Sequence, residues 1–378
     1  MDGNGRRRIS GVDGVSACDG ADGKALRIER RGAAGLLTLE RPAELNAICG
    51  DMRRGLIKAL AGFGRDPGVY AVVLRSAVAG VFSIGSDLSE LLVAATADLA
   101  AARRAVAETC VLCWTVECFS KPTVSLLEGR ATGAGTGIAL YGTHRVAGEH
   151  YRFSLPATRI GYFPDAGLAR ALAAMPDGIG LYLALTGREI GRADALALGL
   201  VTHCIACERF GEIEAALADA EPVDPVLDDR HEDPGPAQLL EEAARIRRYF
   251  AAPTLADCIA RLKSPEAGDR AFAEQTLMAL AERSPMALAV TERLIRRAAS
   301  LDIQATLRLD YRIGSRLIEH PDFGAGVRAL VVELAGSPSW SPARIEDVTS
   351  ASVERFFMPR PDGELALPDR AAMQAPRA

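Results

Sequence analysis

The chain has no long apolar run, and nowhere in its 378 residues does one approach the ~20 residues that a transmembrane helix needs. We therefore expect no membrane association. The arginines of residues 1–8 are not followed by the apolar segment of a secretory signal peptide. From these two absences we expect a cytoplasmic location.

An excess of positive charge is also lacking. The chain has 44 Lys and Arg against 49 Asp and Glu, and its formal net charge is −5. Proteins that bind nucleic acid in general have a basic surface, so this balance argues against nucleic acid as a partner. Local basic clusters at Arg103-Arg104 and within residues 245–248 leave a small anionic ligand compatible with the sequence.

The cysteines are too scattered to indicate a metal centre. Of eight, four form two C-x-x-C pairs, Cys110/Cys113 and Cys204/Cys207. A tetrathiolate zinc site would require the two pairs to converge. The first pair lies in an apolar stretch of helical appearance without the turn glycines of a ligand loop, so we favour buried reduced thiols and predict no metal site.

The order of elements predicts an α/β protein. Residues 1–25, rich in Gly, Asp and Arg, have no periodicity and are predicted to be a disordered tail. Short strands and helices alternate in a strand–strand–helix rhythm over 26–205, the predicted core. We expect a helix and an acidic, proline-rich connector over 206–238, a helical region over 239–350, and a loosely ordered tail over 351–378.

A glycine-rich turn, residues 133–137, follows one of the predicted strands and opens a helix. The N–H groups at a helix start have no intrahelical acceptor and can bind an anion. The spacing matches neither the dinucleotide fingerprint nor a Walker loop. Close packing of helix on strand therefore explains the glycines as well as anion binding does. A second strand-end turn, residues 82–87, could supply another N–H, and two such donors form an oxyanion hole.

Asp165 is the carboxylate that stands out after this turn, in the segment Phe163-Pro164-Asp165-Ala166-Gly167. It precedes a helix-like segment, so it could be a helix N-cap. It could equally transfer protons at a site formed with the glycine turn. The residues alone leave both interpretations open.

Several motifs in this order resemble the crotonase (enoyl-CoA hydratase/isomerase) superfamily. They are Arg41-Pro42, Leu45-Asn46-Ala47, Phe82-x-x-Gly85-x-Asp87-Leu88, the glycine turn, Pro156-x-Thr158-x-Ile160-Gly161 and Leu185-Thr186-Gly187. Within it the chain is most similar to the 3-hydroxyisobutyryl-CoA hydrolases, through residues 163–167, residues 181–187 and a C-terminal signature. That signature reads Asp310-Tyr311-Arg312, then Pro321-Asp322-Phe323-x-x-Gly326-Val327-Arg328-Ala329, then Ser337-Pro338-x-Trp340.

The resemblance covers about residues 26–350 and implies a crotonase-like spiral of repeated ββα units with a helical C-terminal region. It also implies an acyl thioester substrate, carried by coenzyme A or by a carrier protein. No cofactor is expected beyond the coenzyme A of the substrate, and relatives commonly form homo-oligomers. The site residues that follow are likewise what the resemblance implies.

By position, Ile84 and Ala134 would supply the two oxyanion-hole N–H groups, and Asp165 would be the catalytic acid or base. Other residues would border the substrate. Those at the coenzyme A channel would be Glu44, Ala47, Ser86, Asp87 and Gly133.

Two further residues have two interpretations each. Glu108 matches a substrate-facing glutamate of the hydrolases, or it lies on a solvated helix face. Arg159 could bind a substrate carboxylate, or it is an exposed arginine on a loop. The sequence does not decide between the two interpretations of either residue.

Two acids of the superfamily are missing. Ala157 stands where a partner glutamate is expected, and Gly137 stands where the hydratases have a second one. Hydration by a glutamate pair is therefore disfavoured, because neither residue can transfer a proton. Three hypotheses remain: a thioester hydrolase using Asp165, an enzyme of other thioester enolate chemistry, and a non-catalytic protein that binds acyl-CoA.

Overall fold

A computed structural model describes residues 25–334 and 336–374. Most of the predicted disordered tail, residues 1–24, lies outside the described residues. Ala25, the last residue of that predicted tail, is buried, and its carbonyl accepts a hydrogen bond from the N–H of Glu40.

The strands form two sheets. They are β1 (Leu26–Arg31), β2 (Ala34–Leu39), β3 (Ala71–Ser76), β4 (Val81–Ser83), β5 (Thr123–Leu127), β6 (Arg130–Thr132), β7 (His144–Ala147), β8 (Arg152–Ser154), β9 (Ile190–Gly191) and β10 (His203–Cys204). The larger sheet has the order β1-β2-β3-β5-β7-β10, and the smaller has the order β4-β6-β8-β9. Strands and helices together confirm the predicted α/β class.

Helices follow the strands and then dominate the C-terminal half. They are α1 (Gly50–Arg65), α2 (Leu88–Ala97), α3 (Leu99–Glu117), α4 (Gly133–Leu140), α5 (Leu168–Ala174), α6 (Ile179–Thr186), α7 (Arg192–Ala197), α8 (Phe210–Ala218), α9 (Val223–Asp228), α10 (Gln238–Glu241), α11 (Ala243–Phe250), α12 (Leu255–Lys263), α13 (Arg270–Ala281), α14 (Pro285–Ala298), α15 (Ile303–Leu317), α16 (Pro321–Val327), α17 (Ser350–Phe357) and α18 (Arg370–Gln374).

The larger sheet begins with a β-hairpin. β1 and β2 pair antiparallel, from Leu26 opposite Leu39 to Arg31 opposite Ala34, and Gly32 in the turn has a positive φ of 54°. β2, β3, β5, β7 and β10 then run parallel. Every residue of β2 and β5 is buried, as expected for parallel strands covered on both faces.

The smaller sheet positions the site. β4 pairs parallel with β6, so the turns after the two strands emerge at the same edge. The chain of the first turn also forms a parallel bridge between Ser86 and Ile48. The sequence predicts that these two turns supply the N–H donors of the site.

The C-terminal segment differs from the predicted loosely ordered tail. Within 351–374, α17 buries Val353, Phe356 and Phe357. Leu365 and Leu367 are also buried, in a cluster with α3 residues. Their apolar side chains outweigh the prolines that suggested a loose segment, because the prolines only interrupt the helices. Among the described helices no single one has the length and apolarity of a membrane span; the bent pair Leu168–Ala174 and Pro176–Thr186 passes by length and composition only.

Candidate active site

The two strand-end turns meet as predicted. Gly85, with a φ of +95°, follows β4, and Gly133, with a φ of +47°, follows β6. A Cβ atom placed on Gly85 would lie 3.3 Å from the backbone nitrogen of Ala134. The N–H of Ala134 belongs to the first turn of α4, where N–H groups lack intrahelical acceptors.

The glycines of the turn have different roles. A Cβ on Gly135 would lie 2.6 Å from Ser83 Cβ, and one on Gly137 would lie 2.5 Å from Ala166 Cβ and 2.7 Å from the Ala166 carbonyl oxygen. These two residues therefore serve close packing. Gly133 instead has space, and a Cβ there would lie 4.0 Å from Asp165 Oδ1. Close packing is thus confirmed for Gly135 and Gly137, and anion binding at this turn stays a prediction.

Asp165 faces the glycine turn and does not cap a helix. α5 begins at Leu168, its N-cap is Gly167, and it has no side-chain cap. The Asp165 carboxylate instead accepts a hydrogen bond from Ser86 Oγ at 3.2 Å. Burial raises the pKa of this carboxyl to about 6, although the Ser86 hydrogen bond and the charge of Arg53 oppose the shift. A base with such a pKa is ionised at neutral pH and can still accept a proton.

A pocket opens beside Asp165. Helices contribute to its walls through Arg53 of α1, Leu91 of α2, Val106 of α3 and Asp310 of α15. A few polar groups in a mostly apolar wall are typical of a small-molecule site.

Arg53 was not identified from the sequence. It is 4% exposed, and its Nη1 donates to the Ile48 carbonyl at 3.0 Å. Its guanidinium also pairs at 3.4 Å with Glu90 and with Glu108. Glu108 thus faces a pocket residue on one side and Arg54, also at 3.4 Å, on the other. Its predicted contact with substrate stays a prediction.

Arg41 organises three of the residues predicted to border the coenzyme A channel. Its guanidinium lies 2.6 Å from Asp87 Oδ2 and 3.3 Å from Glu44 Oε2, and it donates to the Ala47 carbonyl at 3.0 Å. Asp87 also caps α2, because its Oδ1 accepts the N–H of Glu90 at 2.9 Å. Ala47 is buried and Glu44 is partly buried. Their contact with substrate also stays a prediction.

The second predicted oxyanion donor, the N–H of Ile84, has an acceptor in this structure. It donates to the carbonyl of Leu45 over 3.3 Å, a length at the weak end of the hydrogen-bond range. Leu45 and Asn46 both have positive φ, 51° and 55°. The Asn46 side chain fixes that bend, because it accepts from the N–H of Arg41 and donates to the carbonyl of Phe82.

Ala157 and Arg159 lie on the short 3₁₀ turn Pro156–Ile160. The Arg159 side chain is half-exposed and lies 3.5 Å from Glu282. It is not among the residues that line the pocket. Its predicted contact with a substrate carboxylate therefore has no support in the geometry.

The cysteine pairs have separate surroundings. Cys110 and Cys113 are buried in α3, and burial raises the pKa of both thiols. Cys207 instead lies beside Glu128, Glu149 and His150, and one potential ligand atom from each of the four residues is within 4.8 Å of the others. The Cys207 thiol donates to Glu149, and a hydrogen bond joins His150 to Glu128.

Two buried charged residues of the pocket, Arg53 and Asp310, come from segments that sequence reasoning did not join to Asp165. Both interrupt the apolar face of an otherwise amphipathic helix: Arg53 is three residues from Leu56, and Asp310 three from Ile313. A charged residue on the buried face of a helix is rare unless it has a partner. The interruption of each apolar face could therefore have pointed to Arg53 and Asp310 in the sequence.

The comparisons with known proteins agree with this architecture. Residues 34–357 match the enoyl-CoA hydratase/isomerase family, and the chain belongs to that family. Within it, the chain is 31% identical to the 3-hydroxyisobutyryl-CoA hydrolase, mitochondrial, of Xenopus tropicalis, over 92% of this chain and 91% of that protein. It is 30% identical to the human protein of the same name, over 87% of each chain.

Two solved structures share the fold over nearly their full length. A carnitinyl-CoA dehydratase from Mycobacterium thermoresistibile matches with a TM-score of 0.85 and 33% identity, over 90% of this chain and 98% of that one. An enoyl-CoA hydratase from Rhodobacter sphaeroides 2.4.1 matches with a TM-score of 0.85 and 32% identity, over 91% and 100%. The crotonase fold predicted from the motifs is confirmed.

Proposed function

We propose that the protein hydrolyses an acyl-CoA thioester. The observation that carries the proposal is the position of Asp165. A Cβ atom on Gly133, the residue before Ala134, would lie 4.0 Å from Asp165 Oδ1, and Asp165 also lines the pocket. The Asp165 carboxylate can therefore accept a proton beside a thioester carbonyl that binds at the N-terminus of α4.

In the proposed reaction, the thioester oxygen accepts the N–H groups of Ala134 and Ile84. Each donor of this kind contributes ~3 kcal/mol to the transition state. The Ile84 N–H leaves its long contact with Leu45 when the oxyanion forms. The Asp165 carboxylate takes a proton from water as the water oxygen attacks the carbonyl carbon, and the thiolate then leaves.

The relatives support a short, polar acyl group. The curated relatives are named for 3-hydroxyisobutyryl-CoA, and the pocket presents the buried guanidinium of Arg53 and the hydroxyl of Ser86. The guanidinium can donate hydrogen bonds to a hydroxyl or carboxylate of the acyl group, and the Ser86 oxygen, whose proton is donated to Asp165, can accept one from a hydroxyl. We propose coenzyme A as the thiol carrier, with a carrier-protein thioester as the alternative, and no cofactor beyond it.

A second candidate function is enolate chemistry on the same substrates, such as isomerisation, decarboxylation or C–C bond formation. The observation that favours it is Ala157, because the partner glutamate is absent while one acid/base and an oxyanion site suffice for an enolate. A third candidate is acyl-CoA binding without catalysis, which the missing glutamate at position 157 also favours.

Free thiol release separates these candidates. The protein is incubated with 3-hydroxyisobutyryl-CoA and a panel of short acyl-CoAs, and release is compared with that of Asp165→Asn. Release that falls by at least ~100-fold in the variant supports hydrolysis. No release from any substrate contradicts it.

The same samples in deuterated water test the alternatives. Exchange of the α-proton without thiol release supports enolate chemistry, and tight binding with neither signal supports the non-catalytic alternative. Light scattering tests the proposed homo-oligomer, and the proposed cytoplasmic location is tested by fractionation of cells that express the chain.

A further inference from the structure

The pocket contains a second buried acid, Asp310 of α15. Its side chain is 1% exposed and lines the pocket together with Asp165. One oxygen, Oδ2, accepts the N–H of Gly167 at 2.7 Å. The other, Oδ1, is buried without a hydrogen-bond partner among the described residues. An ionised carboxylate with an unpaired buried oxygen is costly, and a neutral carboxylic acid there costs less.

The surroundings of Asp310 favour its neutral form. Burial is the largest cause that raises the pKa of this carboxyl well above its ordinary value, the charge of Asp165 adds to it, and the Gly167 N–H opposes it. Asp310 in turn raises the pKa of four described side chains that carry no positive charge, Cys110, Cys113, Tyr141 and Tyr162. Arg53 is a cation of the same pocket, but its charge is not among the causes that act on the Asp310 pKa. Asp310 therefore retains its proton while Asp165, whose pKa is about 6, is ionised.

Asp310 also holds the turn that carries Asp165. Ala166 and Gly167 both have positive φ, 59° and 75°. The Gly167 N–H is bound by Asp310, and its carbonyl accepts the hydroxyl of Tyr141 at 2.6 Å. A side chain that only held this turn would need an acceptor oxygen and no proton.

We propose that Asp310 is the second acid of this site and gives its proton to the departing sulfur. Alanine at position 157 cannot transfer a proton, so Asp310 takes that role. The proposal rests on the proposed hydrolysis. As water adds to the thioester carbon, Asp165 takes one water proton. The C–S bond breaks, and the departing sulfur takes the proton of Asp310. The proton on Asp165 then passes to the Asp310 carboxylate, so acid and thiol are released and both groups return to their first state.

Asp310→Asn tests the proton directly, because asparagine keeps an acceptor for the Gly167 N–H and has no acidic proton. Asp194→Asn is the matched control, since Asp194 is also buried and accepts the N–H of Leu239 at 2.7 Å, but it does not line the pocket. Thiol release is measured for the full chain across the pH range.

For Asp310→Asn we expect kcat to fall by ~100-fold or more, the contribution of one proton-transferring group, with KM within a few-fold. The acid limb of the pH profile should stay near pH 6, the pKa of Asp165, and the alkaline limb should disappear. Asp194→Asn should keep both limbs. A kcat for Asp310→Asn that stays within about twofold of wild type at every pH would overturn the proposal and leave Asp310 a positioning residue.

Infrared spectroscopy tests the same proton without turnover. The unmodified chain at neutral pH should show a carboxylic-acid C=O band that Asp310→Asn removes and Asp165→Asn retains. If wild type releases no thiol but this band behaves as expected, the hydrolase proposal fails and the assignment of the proton to Asp310 stands. If the band is the same in Asp310→Asn and wild type, that assignment fails whatever the activity.

Discussion

The hydroxyl of Ser86 donates a hydrogen bond to Asp165 Oδ2 across 3.2 Å. Ser86 follows β4, and Asp165 lies on the loop that ends at α5, so the contact joins the two halves of the site. It stabilises the charged form of the carboxylate and opposes the burial that raises its pKa. The balance of these two effects sets the pKa of Asp165, and so the pH range in which its carboxylate is ionised and can accept a proton.

Removal of that hydrogen bond should move the pH dependence. In Ser86→Ala the pKa of Asp165 should rise above about 6, because burial then acts without the opposing hydroxyl. Thiol release at neutral pH should fall several-fold and recover at alkaline pH. Thr109→Val is the control, since the Thr109 hydroxyl donates to the Ala105 carbonyl within α3. Its midpoint should not move; an unmoved midpoint in Ser86→Ala would contradict the prediction.

Asp165 should lower the stability of the protein at neutral pH. Its folded pKa is about 6 against an ordinary 3.8, so the folded state binds the proton more tightly. The stabilisation by this bound proton is complete below about pH 4 and is lost as the pH rises through about 6.

Asp165→Asn should therefore be more stable than wild type above pH 6, and equally stable near pH 4. The full shift corresponds to about 3 kcal/mol, and we expect less because the carboxylate is partly exposed in the open pocket. Urea unfolding at the two pH values measures the difference. Equal stability of the two proteins at pH 8 would contradict the expected sign.

Gly137 should not accept a side chain. In Gly137→Ala the new Cβ would meet Ala166 at 2.5 Å, which requires the turn of Asp165 to shift. We expect a loss of ~1–3 kcal/mol of unfolding free energy together with reduced thiol release. Gly62→Ala, in the last turn of α1 where nothing lies within 4 Å of the new atom, should be neutral or stabilising. The prediction fails if the two variants have the same stability.

The segment after α17 should contribute to the core. Leu367 is 8% exposed and packs in the cluster that contains Trp114, whose Nε1 donates to the Pro368 carbonyl at 2.7 Å. Leu367→Ala should cost ~2 kcal/mol, the low end for a buried leucine. Met358→Ala, at a side chain 54% exposed, should change the free energy of unfolding by less than ~0.5 kcal/mol. Chemical denaturation of both variants checks this.

Local patterns predicted the local structure well. The hairpin, α3 and the helix after the glycine turn follow from periodicity and turn residues, and the motifs placed Gly133, Ala134 and Asp165 in one site. The partners that come from distant segments could not be predicted in this way. Arg53 and Asp310 reach the pocket because α1 and α15 pack against α3, and no local pattern states which helices will meet. The order of the tail after residue 350 was missed for the same reason, since α17 packs against α14 and α15, and Leu365 and Leu367 pack with residues of α3.

The contact between Gly137 and Ala166 also bears on how this site can change over generations. A glutamate at position 137 would need the space that Ala166 occupies, so one substitution cannot return the hydratase acid to that position. The turn of Asp165 would first have to move, and every intermediate would have a displaced base. The geometry therefore makes an acid at position 137 hard to introduce while the turn of Asp165 keeps its present position.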